Sequence, residues 1–412
     1  MKKLIVSFIL FNLLFSEVLF LKNGIPLIYR KVEGIDVISA GVLFKGGVAK
    51  YKEGMDGIEF FALNSLLEGT REYPFPELQK IFVKEGILKR VIADHDYSAL
   101  ILKSPSKNYK KVIEILFKIL NEPELNPQRI EVVRNNLILR AKRKEEEPDQ
   151  KLFILLNEVF YKNHPYKIEP EGKIETLKNF KIEDIRNFLE NNFHSGGIVL
   201  GFVGPLEKEE ILNLFDELFG KIEKRENITP EIPDFSKKDT FFYIKKDDYE
   251  TSYIATKFPV PDIKDRDYPA ILALSEILSQ RFEERVRTKA GISYAVWAGA
   301  SMKKKNYGYF YVSSSFPDSA WKLMMKEVNE IKEKGVKEKE IKESLNLFKT
   351  YRFLQNASTD GVLISLFRSF VIAEDPEFLD SMLSKINEVK PENIKKCANL
   401  YFNNFTTIKI GP

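Results

Sequence analysis

Apolar positions along the chain come in two rhythms, and the switches between them mark out its elements. Apolar runs bounded by turn residues lie at 18–22 and 25–30, around Asn23-Gly24, and at 37–44, ahead of Gly46-Gly47. Asn-Gly between two such runs predicts a tight hairpin, because both residues tolerate the left-handed backbone the turn needs. From residue 57 the period lengthens. Ile58, Phe61, Ala62, Leu63, Leu66 and Leu67 recur at helical spacing and predict a buried helix over 57–70, closed by Gly69-Thr70. The same reading places helices at 76–84, 109–120, 127–146, 153–161, 182–192 and 208–219, with strands at 86–91, 97–103 and 197–203. Pro127 suits the first turn of its helix, where a missing N–H costs nothing.

Residues 221–236 break both rhythms. They are charged, hold Pro230 and Pro233, and read as a linker and hinge. Beyond them the pattern begins again. Strands are predicted at 240–243, 253–258, 291–300, 307–313 and 406–410, and helices at 268–278, 319–334, 338–354 and 391–402. Landmarks recur between the two stretches. Gly86-Ile87 pairs with Gly291-Ile292, Ile185 with Ile394, and Val203-Gly204-Pro205 with Ile410-Gly411-Pro412, each about 205–209 residues apart. A period this long means repeated domains. Strands followed by runs of helices, twice over, predict an α+β fold. The two similar domains, 17–220 and 237–412, are expected to form a clamshell.

Composition narrows this picture. A chain of 412 residues is too long for one core and suits two. Its 64 basic and 60 acidic residues interleave to a net charge of +4, so no basic stripe marks a nucleic-acid surface. The single Cys397 excludes an internal disulfide and a cysteine metal cluster, and sits in a helical pattern as a packing residue. At the N-terminus, Lys2 and Lys3 precede an apolar run over 4–15. That is the layout of a secretory signal, here 1–16, and it is short for a membrane span. The expectation is export to the periplasm. Ser16 is the only small residue at the junction, so retention as an inner-membrane anchor is the alternative.

The frame of the 57–70 helix resembles the zinc-binding helix of the pitrilysin, insulinase and mitochondrial processing peptidase family. There a Gly stands three residues before His-x-x-Glu-His, and a Gly-Thr follows. The two His hold zinc and the Glu is the general base. Gly57, Gly69 and Thr70 stand in place, but Phe60, Leu63 and Asn64 occupy the first His, Glu and second His positions. Phenylalanine and leucine cannot ligate a metal, and a lone Asn is a poor zinc ligand. The resemblance covers nearly the whole chain. Gly86 and Asp96 match the family's following strand, with Arg90 at its Asn position. Glu146-Glu147-Pro148 and His164-Pro165 match later landmarks, and the glutamate that completes the family's zinc shell falls near Leu139 and Arg140, neither acidic. Zinc needs three protein ligands and an open position, so none is expected on this chain. His95, His164 and His194 are not paired at helical spacing and read as structural or surface residues. Glu145, Glu146 and Glu147 read as a solvated helix end.

The second half keeps more. Arg287, Lys289, Gly291 and Tyr294 match the family's Arg-x-Lys-x-Gly-x-x-Tyr element. The resemblance implies that this Arg and Tyr reach a substrate beside the zinc. A guanidinium and a phenol are suitable donors to the oxyanion of peptide hydrolysis. On spacing alone, the same two residues suit a surface ion pair and a ring packed in the sheet. The family resemblance favours a non-catalytic subunit of a heterodimeric zinc endopeptidase. A homologous partner would bear the zinc, and this chain would supply Arg287 and Tyr294. A peptide or unfolded protein would be held as an added strand, and the chamber would open at 221–236. The alternative is a structural or peptide-binding protein with no part in catalysis.

Overall fold

The computed structural model describes residues 16–412. The leader expected over 1–16, and with it cleavage or anchoring, lies outside these residues except for Ser16. Among the described residues no helix is long and apolar enough to cross a membrane.

In chain order the strands are β1 (Glu17–Phe20), β2 (Pro26–Lys31), β3 (Val37–Lys45), β4 (Leu88–Ala93), β5 (Tyr97–Pro105), β6 (Ile198–Gly204), β7 (Thr240–Lys245), β8 (Ser252–Pro259), β9 (Ala295–Ala300), β10 (Tyr307–Ser314) and β11 (Thr406–Gly411). The helices are α1 (Ile58–Leu66), α2 (Phe75–Lys84), α3 (Tyr109–Asn121), α4 (Pro127–Glu146), α5 (Pro148–Phe160), α6 (Ile174–Asn179), α7 (Ile182–Asn192), α8 (Lys208–Phe219), α9 (Tyr268–Phe282), α10 (Pro317–Lys334), α11 (Glu338–Gln355), α12 (Thr359–Ala373), α13 (Phe378–Asn387) and α14 (Pro391–Tyr401). Helices α6, α12 and α13 lie where the sequence pattern predicts none. Strand β9 starts at Ala295 rather than at 291.

The strands form two sheets, β1-β2-β6-β3-β5-β4 and β7-β11-β8-β10-β9. Apart from β1 the orders correspond strand for strand. The parallel pairs correspond too: β2 runs parallel to β6, and β7 to β11. The chain is thus an α+β duplication, two sheets each with its own helices.

Each sheet is covered on both faces, and the outer cover comes from the other half. One face of β3 sends Ile38, Ala40, Val42 and Phe44 into the core shared with α1, α3, α7 and α8. On the opposite face Leu43, Ile101, Val199 and Val203 pack against Val362, Leu363, Leu366 and Phe367 of α12. Reciprocally, α5 lays Leu152 and Leu156 over Ala255, Tyr311, Ile408 and Ile410 of the second sheet. Strands buried on both faces read as continuous apolar runs, as β3, β5 and β6 do. Gly41 and Gly201 are directly paired across β3 and β6. A Cβ on Gly201 would lie 2.6 Å from Cε1 of Phe367, and one on Gly41 3.2 Å from its Cε2. The two glycines leave a dent that the Phe367 ring fills.

Polar contacts fasten the same junction. Lys303 Nζ pairs with Asp94, and the Lys304 N–H donates to Asp96 Oδ2 at 2.9 Å. Lys257, buried at the end of β8, donates to Asn157 Oδ1 at 2.6 Å and to the Tyr161 hydroxyl at 3.0 Å, with its ammonium 3.8 Å from the Tyr307 ring centroid. The expected hinge is part of this junction. Ile232 and Phe235 are buried against Tyr161 and Tyr166, and the Pro233 carbonyl lies 2.9 Å from His164 Nε2. Residues 230–235 form a pinned strap, and the crossed helices close the two halves of one chain on each other.

Candidate functional site

Helix α1 begins at a forced turn. Gly57 has φ 84°, and a Cβ there would lie 2.4 Å from Cα of Gly172. Only glycine fits that conformation and that approach. Asp56 secures the same start: its Oδ1 accepts from Glu169 N at 2.8 Å, and its carbonyl from Thr176 Oγ1 at 2.7 Å. The family's frame residues therefore keep a structural task in the absence of the chemistry.

The three positions that would carry the metal chemistry are occupied otherwise. Leu63 is fully buried in the core. Asn64 turns its amide back to donate to the Phe60 carbonyl at 2.7 Å, within its own helix. The Phe60 ring is buried with the Arg140 guanidinium 5.4 Å from its centroid. Arg140 comes from α4, at the place where the resemblance puts the distal zinc glutamate, and Glu171 holds it by two hydrogen bonds of 3.1 and 2.7 Å. A cation therefore covers an aromatic ring where a carboxylate and an imidazole would have to converge on zinc. Among the described residues no three His, Cys, Asp or Glu side chains gather as a metal shell. The residues present do not fit zinc, because the set offers one amide and one fixed positive charge.

Two of the histidines that are far apart in sequence meet in space. His95 and His164 both pack on Tyr166, with ring centroids 4.7 and 4.9 Å away. His95 Nε2 lies 3.1 Å from the Tyr166 carbonyl, and His164 Nδ1 accepts from Tyr166 N at 3.0 Å. His194 sits separately, its Nε2 3.2 Å from the Asn191 carbonyl. Burial holds the pKa of all three below the usual histidine range, most strongly for His95. One buried acid escapes a reading by spacing. Glu59, next to Phe60, accepts from the Tyr51 hydroxyl at 2.9 Å, and burial raises its pKa. Its single position on an otherwise apolar helix gives no periodic signal.

In the second half, α9 runs into a wider turn over 283–289, in which Ala290 N donates to the carbonyl of Arg285. Such π-type turns swing side chains out of a helical register. Arg287 projects from it, half exposed, and donates to Glu283 Oε1 at 2.7 Å. Gly291, at φ 65°, reverses the chain. Tyr294 then pairs its N–H with the Ser313 carbonyl at 3.0 Å, just ahead of the edge strand β9. Its ring is 66% exposed, with the hydroxyl 3.2 Å from Ser315 Oγ. It does not pack into the sheet. Within one chain these residues and α1 stay apart. Helix α1 is packed by α4, α7, β4 and β5, and the Arg287 turn by α9, α10 and β9. The arrangement leaves a guanidinium and a phenol exposed beside the end strand β9, while at α1 the acid Glu59 is buried against the Tyr51 hydroxyl.

Comparison with known proteins gives the family. Residues 28–172 match the profile of the insulinase family, peptidase family M16, and residues 179–348 match that of the peptidase M16 inactive domain. The zinc protease PqqE of Helicobacter pylori is 21% identical over 412 residues, covering 95% of this chain and 92% of its own. The non-peptidase homolog YmxG of the same organism is 19% identical over 377 residues, covering 90% of this chain and 87% of its own. A crystal structure of a protease from Helicobacter pylori superposes with a TM-score of 0.87 at 19% identity, covering 97% of this chain and all of that one. At that identity the likeness is one of fold.

Proposed function

The chain belongs to the insulinase (M16) family of peptidases, and within it we propose that it serves as the zinc-less subunit of a two-chain endopeptidase. It is a pseudo-peptidase member: Phe60, Leu63 and Asn64 stand where the catalytic triplet would be, and Arg140 blocks the fourth position. The observation that carries the finer reading is the contrast between the halves. The metal positions are packed shut, while Arg287 and Tyr294 remain presented to solvent beside the open edge of β9. A residue kept only for packing has no reason to project there.

In this reading a homologous partner holds zinc and its water. Arg287 and Tyr294 supply donors to the carbonyl and oxyanion of a peptide lying along the facing edge. One bacterium has both a zinc protease and a non-peptidase homolog related to this chain, which supports a division of labour. The substrate is an unfolded protein or short peptide. The apolar N-terminal run behind Lys2 and Lys3 supports export, so that the complex acts in the periplasm. The alternative, a structural or peptide-binding role, draws on the ion pair between Arg287 and Glu283, which occupies the guanidinium in the isolated chain.

The test is co-expression with a zinc-motif homologue, and cleavage of a quenched fluorescent peptide by each chain alone and by the mixture. Activity only in the mixture is expected. Arg287→Ala in the assembled pair should lower turnover about a hundredfold, the cost of one oxyanion donor. Unchanged turnover with Arg287→Ala would favour the structural role.

A further inference from the structure

One end of the first sheet carries a cavity that neither the peptidase-like site nor the packing of the halves accounts for. Strands β1 and β3 stop at that end. Phe20 stands opposite Pro26 at the start of β2, and the Lys45 N–H donates to the Gly197 carbonyl just ahead of β6. Helix α12, which covers the outer face, runs out at Ala373. A cavity of about 1070 Å³ opens there between the halves, lined by Lys45 and Phe20 from the first and by Ile263, Lys304, Phe370 and Ile372 from the second. That is the size of a small-molecule site. Its apolar wall includes Phe20, a phenylalanine that is 65% exposed.

The charges within it are unbalanced. Neighbouring lysines of the junction are paired, Lys303 with Asp94 and Lys305 with Asp234 and Asp262. Lys304, between them, and Lys45 are half-buried, and among the described residues neither side chain has a carboxylate within ion-pairing distance. Lys50 stands behind the wall, its ammonium donating to the neutral Asn192 Oδ1 at 3.0 Å and Asn227 Oδ1 at 2.8 Å. Burial pushes the pKa of Lys45 and Lys50 down, that of Lys50 to about 8, and the charge of Lys304 adds to the effect in both. Glu374 acts against it on Lys45 and Glu59 on Lys50, neither as an ion pair. The acids on the cavity wall leave the lysines unneutralised: Glu226 and Glu374 are exposed to solvent, and Asp262 is held by Lys305. Residues 1–15 contain no Asp or Glu. A partly buried ammonium without a partner is destabilising, and one anion would relieve Lys45 and Lys304 together. The apolar wall specifies the rest of the ligand. We infer that the cavity binds a carboxylate carried on an apolar chain, its oxygens accepting from Lys45 and Lys304 and its chain lying on Phe20, Ile263, Phe370 and Ile372. Such a ligand is a fatty acid or the C-terminal end of a short apolar peptide. It takes one lysine from each half and so binds across the junction. No residue of α1 lines the cavity, nor does Arg287 or Tyr294, so the inference does not rest on the divided-site reading and fails separately from it.

The experiment is calorimetric titration of the full chain with decanoate, and with N-acetyl-leucylphenylalanine as free acid and as amide, accompanied by thermal unfolding. Saturable binding at one site per chain is expected, with a rise in the unfolding midpoint. Binding of decanoate alone supports the inference and names a fatty acid. Binding of the peptide acid but not of its amide supports it and names a peptide end. Lys45→Met and Lys304→Met should each weaken binding about tenfold or more, the worth of a hydrogen bond to a charged group. Lys45→Arg should keep most of the affinity, since the charge remains, and Phe20→Ser should lose part of it. Without ligand, Lys45→Met should unfold at no lower temperature than the natural chain, because it removes an unpaired charge. Saturation by none of the probes would overturn the inference, as would equal binding of decyltrimethylammonium or an affinity indifferent to both lysine substitutions. A lower unfolding midpoint for Lys45→Met without ligand would give that lysine a structural role and overturn it also.

Discussion

Replacing Phe367 by alanine tests whether the crossed helices hold the two halves together. Phe367 belongs to the second half by sequence, yet its ring is fully buried on the outer face of the first sheet. Burying and then deleting a phenylalanine side chain costs about 3–5 kcal/mol, and the cost rises with the cavity that remains. Here the floor of the cavity is the backbone of Gly41 and Gly201, which carry no side chain to move in. The loss should therefore reach the upper part of that range, about 4–5 kcal/mol. That is a large share of the about 5–15 kcal/mol by which proteins are stable. Urea unfolding followed by circular dichroism gives the size, and hydrogen exchange gives the place. Exchange should quicken in α12 and in β3 and β6 together, because each is the other's cover. A loss below about 2 kcal/mol, or faster exchange confined to 359–373, would refute the reciprocal clamp.

Three other outcomes follow from the same geometry. Phe60→His with Asn64→His should retain no zinc after dialysis, and adding Arg140→Glu should give one ion per chain, because only then do three ligands replace the guanidinium. Stability should fall as pH drops below about 6.5, since the unfolded chain takes up protons that the buried histidines refuse. Their depressed pKa makes the contribution present above that pH and lost below it. His95 alone contributes up to about 1.4 kcal/mol per pH unit, so His95→Asn should flatten the urea midpoint between about pH 7 and 5.5. Finally, an engineered protease site cut between Asn227 and Thr229 should leave both halves co-eluting in gel filtration, because the clamp and not the strap joins them; separation of the fragments would contradict this.

Much of the fold can be read from residue spacing because most elements are amphipathic in one simple period. The hairpin at Asn23-Gly24, the paired landmarks and the run of Arg287 to Tyr294 all carry local signals. The crossing does not. Residues 359–373 place Val362, Leu363, Leu366 and Phe367 on one sheet and Ile372 in another core, so the apolar stripe widens until it ceases to be a stripe. The continuous apolar runs of β3 and β6 announce that something lies on their outer face, but not what. The packing of the strap was hidden for a similar reason. Its charges and prolines dominate the composition, while two residues, Ile232 and Phe235, decide its packing. At the site, loss of the metal positions is legible residue by residue. That Arg140 would cover Phe60 required a contact between α1 and α4 that no local pattern encodes.

The reciprocal helices also set an order of events during synthesis. When β6 leaves the ribosome, the outer face of the first sheet, with Ile28, Leu43, Ile101, Val199 and Val203, has no cover. Its cover is α12, which emerges only about 150 residues later, some 8–30 s at translation rates of about 5–20 residues per second. Through that interval the nascent chain carries a sticky sheet face that its own first half cannot hide. Helix α5 waits in the same way for β8, β10 and β11. Any truncation before α12 should therefore yield aggregates rather than a free first half.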